Sequence, residues 1–185
     1  MSQFNFYTLD SAPDGSKDLL EATQKQMGFL PNLYLGLAES PATLEAYLTL
    51  SKLLTKTSFT PAEQNLILLA ISIENDCQYC AAAHSVGAKF AKLPGDVIDA
   101  VRRGQPIADD KLEALRRFAE RLIQKRGFAT DDLVEFLDAG FSQKQALEVV
   151  LAAAMKTLSN YANHLMDTPL DSALSDMAWT GKDDS

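Results

Sequence analysis

Two cysteines and one histidine carry the chemistry that can be read from this sequence. Cys77 and Cys80 are the only cysteines, and they stand in the string Glu74-Asn75-Asp76-Cys77-Gln78-Tyr79-Cys80-Ala81-Ala82-Ala83-His84. On a helix, residues three and four apart share a face, so Cys77, Cys80 and His84 fall on one stripe. Two thiols so spaced close a disulfide with little local change. An imidazole within reach can take a thiol proton and later return it. Asn75-Asp76 interrupts the preceding helix and caps the next, which puts Cys77 in or just before a first turn. The unpaired N–H groups and helix dipole there predict a lowered pKa for Cys77. The pattern points to dithiol–disulfide chemistry.

Other polar residues are weaker candidates. Glu63 is the best carboxylate for orienting His84 or relaying protons, and Glu74 is the alternative. A capping box from Thr60 to Glu63 explains Glu63 equally well. His164 shares a helix face with Asn160; it lines the site, lies at a subunit contact, or is a hydrogen-bonded buried histidine near a helix end, and the last is the simpler reading. Tyr79 reads as a packing residue. The main rival to redox chemistry is a structural zinc site built from Cys77, Cys80, His84 and His164, which are ligands of the right types. A histidine four residues after a C-x-x-C on one helix is cramped for a single tetrahedron, and no second ligand pair is present. Neither a metal nor an organic cofactor is therefore expected.

The elements that must hold these residues are all helices. Ser16 to Met27 ends at Gly28. Ser40-Pro41 opens a helix to about Thr55. Thr60-Pro61-Ala62-Glu63 opens the next, whose run Leu66 to Ile73 is apolar nearly all round and predicts burial on most sides. Cys77 to Ala91 follows, rich in alanine. Further helices start at Pro94-Gly95-Asp96, at Asp109 or Asp110, and at Thr130. The longest starts at the Ser142/Gln145 capping box and runs to about His164. No stretch alternates as a strand does. The expectation is an all-α fold: one domain over 1–166 and a looser tail over 167–185, which Met177 and Trp179 either dock or offer to a neighbour.

Composition narrows the function classes. With 46% hydrophobic and 23% charged residues, the 185-residue chain is long enough to bury a core without staples. A formal net charge of −8 argues against nucleic acid and anionic membranes. Arg102-Arg103 and Arg116-Arg117 read as solvated helix faces. No secretory signal and no membrane span are legible. A cytoplasmic, reducing compartment is expected, where a close cysteine pair is catalytic or metal-binding rather than structural.

The C-x-x-C-x-x-x-H of Cys77, Cys80 and His84, following the apolar helix Leu66 to Ile73, resembles the carboxymuconolactone decarboxylase-like family. More narrowly, it resembles the alkylhydroperoxidase D, peroxidase-related branch. PNLYLGLAESPATLEAYL and SNYANHLMDTPLD extend the resemblance over most of the chain. It implies an all-helical protein that assembles into a homo-oligomer, a trimer or hexamer. It implies that Cys80 attacks a peroxide and that Cys77 resolves it. A lipoyl or thioredoxin-like dithiol would then reopen the disulfide. Two departures stand out: Asn65 occupies the family's relay glutamate position, and Tyr79 replaces a histidine common between the cysteines. Asparagine cannot pass a proton as a carboxylate does. Both departures weigh against strong peroxidase activity and leave disulfide exchange intact. The expected function is reduction of disulfides, alkyl hydroperoxides or hydrogen peroxide. The alternatives are a zinc-bound module and a cofactorless decarboxylase or lyase.

Overall fold

The computed structural model describes residues 3–182, and these contain helices and no strand. The order is α1 (Lys17–Met27), α2 (Asn32–Leu37), α3 (Pro41–Leu54), α4 (Pro61–Glu74), α5 (Gln78–Phe90), α6 (Gly95–Arg102), α7 (Asp110–Gln124), α8 (Thr130–Asp138) and α9 (Gln143–Met166). A 3₁₀ turn, Ser172–Met177, follows. The all-α expectation is correct. No helix among the described residues is long and apolar enough to cross a membrane.

The boundaries follow from capping chemistry. Ser40 and Asp109 each accept a backbone N–H of their own first turn, and both predicted capping boxes form, at Thr60/Glu63 and Ser142/Gln145. Gly28 ends α1 in the left-handed conformation. Two details differ from the sequence reading. Thr130 is the first residue of α8 rather than its cap, since Ala129 precedes it without a side-chain bond. The short α2 was not anticipated; its first N–H, at Asn32, is bonded at 3.1 Å by the carboxylate of Asp171, far away in sequence.

α4 is the central element. Every residue from Leu66 to Ile73 is buried, and α4 packs against α5, α6, α7 and α9. Its all-round apolar sequence therefore has the predicted meaning. α5 approaches it closely at Gly87, where an added Cβ would lie 2.4 Å from Oδ1 of Asn65.

Two arginines expected on solvated faces are structural. Arg116 is buried and pairs with Glu113 at 2.6 Å and Glu120 at 2.7 Å. Arg102 donates to the carbonyls of Met177 (3.0 Å) and Ala178 (2.8 Å) and to Ser85 Oγ (2.9 Å). Trp179 Nε1 donates back to the Arg102 carbonyl at 3.0 Å, and Leu174, Met177 and Trp179 are buried. The tail is thus docked on α5 and α6, as one of its two sequence readings has it. Residues 1–2 and 183–185 of the expected division lie outside the described residues. Arg102→Ala removes three hydrogen bonds of a charged donor and is expected to cost about 2 kcal/mol, hence about 4–8 °C in melting temperature. Thermal unfolding, with limited proteolysis after Met166, checks this.

Candidate active site

The dithiol sits at the junction of α4 and α5. Asn75 ends α4, Asp76 takes a left-handed conformation (φ 53°), and the Cys77 N–H returns to the Ser72 carbonyl at 2.9 Å. The Asp76 N–H bonds the Ile73 carbonyl at 3.1 Å. This is a Schellman closure with aspartate where glycine is usual. Cys77 is at once the last residue of that closure and the N-cap of α5, and its carbonyl accepts the Ala81 N–H at 2.9 Å. Both cysteines are free and buried.

The sulfurs differ in surroundings. Asn163 Nδ2 donates to Cys80 Sγ at 3.1 Å and lies 3.9 Å from Cys77 Sγ. Ser159 Oγ is 4.0 Å from Cys80 Sγ. Lys156 is fully buried, and its Nζ is 2.9 Å from His84 Nε2. A lysine has only donors, so Nε2 accepts and the ring hydrogen belongs on Nδ1. Burial opposes charge on Cys80, but the Cys77 thiol donating to it and the charge and hydrogen bond of Lys156 outweigh that. Ser159 adds to the same effect, and Cys80 ionises well below the ordinary thiol range. That same hydrogen bond to Cys80, then burial, pushes Cys77 far up. Burial first, and Lys156 second, hold His84 well below its usual range, so it is neutral.

This reverses the sequence expectation that Cys77 is the lowered thiol. Cys77 makes no side-chain bond to its helix N-terminus, and its proton is directed at Cys80. Glu63 also has a different placement from the one a relay needs. Its carboxylate accepts from Thr60 N and Oγ1, both at 2.8 Å, and it is not part of the cavity that His84 lines. Glu74 faces Lys182 at 3.5 Å. Tyr79 is more than packing: its hydroxyl donates to Asp171 at 2.5 Å.

Two cavities meet at the dithiol. The first, about 410 Å³, is lined by Cys80 and His84 and by apolar groups including Leu33, Tyr47, Leu68 and Met155; Asn65 also borders it. The second, about 330 Å³, is lined by Asp76, Cys77, Gln78, Tyr79, Asn163, His164, Asp167 and Thr168. Tyr79 borders both. His164 is exposed there, which departs from the simpler reading of a buried histidine. Among the described residues no three His, Cys, Asp or Glu side chains are grouped as metal ligands are.

The residues that sequence reasoning missed are on α9. Lys156, Ser159 and Asn163 are buried and, with the Asn160 already noted beside His164, share one face with the buried Val149, Ala152 and Met166. The signal was a helical stripe that turns polar in its second half, a pattern that solvent exposure would not produce.

Comparison with known proteins agrees with the geometry. Residues 41–121, from α3 into α7, match the model of the carboxymuconolactone decarboxylase family. No curated protein sequence matches the chain. Among solved structures, an uncharacterised peroxidase-related protein of Ralstonia eutropha JMP134, described as an alkylhydroperoxidase AhpD core, is 23% identical over 95% of both chains, with a TM-score of 0.82. The debrominase Bmp8 is 19% identical over 96% of both, with a TM-score of 0.80; a cysteine-to-alanine variant of it was solved with 2,3,4-tribromopyrrole. A peroxidase-related protein of Silicibacter sp. TM1040 is 16% identical over 93% of this chain and 92% of its own, with a TM-score of 0.77. Residues 41–121 thus match the carboxymuconolactone decarboxylase family model, and the chain shares the helical fold of alkylhydroperoxidase D-like structures, which agrees with the resemblance read from the sequence.

Proposed function

We propose that the protein is a dithiol–disulfide oxidoreductase whose Cys80 thiolate attacks a peroxide or disulfide substrate and whose Cys77 resolves the product. The observation that carries this reading is the pairing of one sulfur with one buried cation. Cys80 alone borders the apolar cavity, held as a thiolate by Lys156, Ser159 and Asn163. With a hydroperoxide, Cys80 takes the distal oxygen and the O–O bond breaks. The departing alkoxide receives a proton from Lys156, which His84 orients through Nε2. Cys77 then attacks the Cys80 sulfenic acid, releasing water and closing the disulfide. An external dithiol, lipoyl or thioredoxin-like, restores both thiols. Lys156 fills the part first considered for Glu63, whose carboxylate is committed to its own helix cap.

The homo-oligomer implied by the resemblance has a candidate surface on the outer face of α9. There Leu147, Val150, Tyr161 and Leu165 are exposed at helical spacing.

The test is stoichiometric. Fully reduced protein is mixed with hydrogen peroxide, cumene hydroperoxide or a model disulfide, and free thiols are counted with time. Loss of two thiols per chain, slowed by His84→Ala, is the expected result. Thiols that stay unreactive until a chelator is added would favour the zinc reading instead. A second substrate class is supported by the apolar cavity together with the debrominase fold relative. A brominated heteroaromatic would give its hydrogen-substituted product, bromide and a proton as the dithiol becomes a disulfide. Bromide release coupled to thiol loss tests it.

A further inference from the structure

The two cavities touch different sulfurs. Cys80 lines the apolar one and not the polar one; Cys77 lines the polar one and not the apolar one. Tyr79 and the dithiol form the partition between them. The polar cavity is bordered by the carboxylates of Asp76 and Asp167, with His164 at its rim and, among the described residues, no lysine or arginine. It also borders Asn163, which is 4% exposed and whose Oδ1 has no hydrogen-bond partner among the described residues. Thr168 Oγ1, on the same wall, is likewise buried and unpartnered. On this wall the Asn163 amide oxygen can accept an N–H, and the Thr168 hydroxyl can accept or donate, when a molecule enters the cavity.

We propose that the Cys77–Cys80 disulfide is reduced from the polar cavity, at Cys77, by a neutral or positively charged thiol whose arm carries an N–H donor, while the oxidant is handled from the apolar side. This rests on the dithiol reading above and specifies its second half. The incoming thiolate bonds to Cys77 Sγ and the S–S bond breaks. Its electron pair leaves on Cys80 Sγ, beside Lys156 and Asn163. A second thiol of the reductant then attacks the reductant's own sulfur in the mixed disulfide and releases Cys77, which takes up that thiol's proton. In sum, one disulfide and two thiols become two protein thiols and one reductant disulfide. Direction follows from the leaving group: attack at Cys77 expels the sulfur better stabilised as an anion, which is the faster course. Selectivity follows from charge: two carboxylates and no cation at the entrance repel an anionic thiol.

The experiment separates this half-reaction from the oxidative one. The disulfide is installed chemically with diamide, and its reduction is timed with cysteamine, 2-mercaptoethanol and 3-mercaptopropionate, each rate corrected for its thiolate fraction. The expected order is cationic, neutral, anionic, with a spread of about tenfold at low salt that shrinks in about 0.5 M salt. Asp76→Asn with Asp167→Asn should collapse the spread, since asparagine tolerates both left-handed positions. Gln78→Trp, placed at the cavity wall, should slow reduction by all three thiols about tenfold or more by denying access. Rates indifferent to thiol charge and to Gln78→Trp overturn the proposal. So do rates that fall instead with Val86→Trp in the apolar cavity. The expected pattern in a protein inert to every peroxide would support this entry route while removing the peroxidase reading.

Discussion

Lys156→Met is expected to slow oxidation of the reduced dithiol by at least about 30-fold at pH 7, because an ordinary cysteine with a pKa near 8.5 is only about 3% thiolate there. Burial by itself disfavours the Cys80 anion, and the Lys156 charge is among the influences that overcome it. Methionine keeps the length and flexibility of the chain without the charge, so Cys80 takes a proton instead of remaining as an unpaired buried anion. Stability should hold or rise, since a fully buried ammonium is no longer desolvated. The ultraviolet absorbance of the thiolate provides the check. In the native protein it persists as pH falls through neutrality and disappears only on further acidification. In the variant it should appear only as pH rises through the ordinary cysteine range. A variant with native rates and native absorbance would remove Lys156 from the mechanism.

Cys77→Ser is expected to separate first oxidation from turnover. A serine hydroxyl can still donate to the Cys80 thiolate, so the first attack on a hydroperoxide should be within a few-fold of native. With no second sulfur the product stops at the sulfenic acid, one thiol is consumed per chain, and turnover with an external dithiol falls by about two orders of magnitude or more. Cys80→Ser should abolish both steps, because Cys77 neither borders the apolar cavity nor ionises readily. Sulfenic-acid trapping by dimedone and mass measurement distinguishes the variants. Equal behaviour of the two serine variants would contradict the assignment of roles.

Much of the fold was legible because its signals are local. Ser40, Thr60, Asp109 and Ser142 act through their own first turns, and the unbroken apolar run of α4 announces its central place. The cysteine stripe was legible for the same reason. What surrounds it was not. A lysine in the middle of a helix ordinarily reaches solvent; Lys156 is buried because α9 lies across α4 and α5, a relation between distant segments. The ionisation order of the two thiols turned on a hydrogen bond between them and a cation from another helix, neither of which helix-terminus reasoning contains. Glu63 was ambiguous for a physical reason: one carboxylate cannot both satisfy the Thr60 N–H and serve a distant imidazole. The docked tail was half visible in Trp179. Its anchor, Arg102, looked like surface until its three acceptors were placed.

The Schellman closure at Asp76 bears on the cost of each turn of the proposed dithiol cycle. The backbone N–H of Cys77 is fixed to α4 and its carbonyl to the first turn of α5, so the sulfurs hang from two rigid helices and not from a loop. Oxidation and reduction can then be accommodated by χ1 rotations of two side chains while the main chain stays put. In the proposed cycle the nuclear rearrangement of each two-electron step would be correspondingly small, because the backbone bonds of Cys77 hold in place the two helices that carry the sulfurs. Rigidity would then work as a memory: in the proposed cycle, each new partner would meet the same wall whichever oxidation state the sulfurs hold.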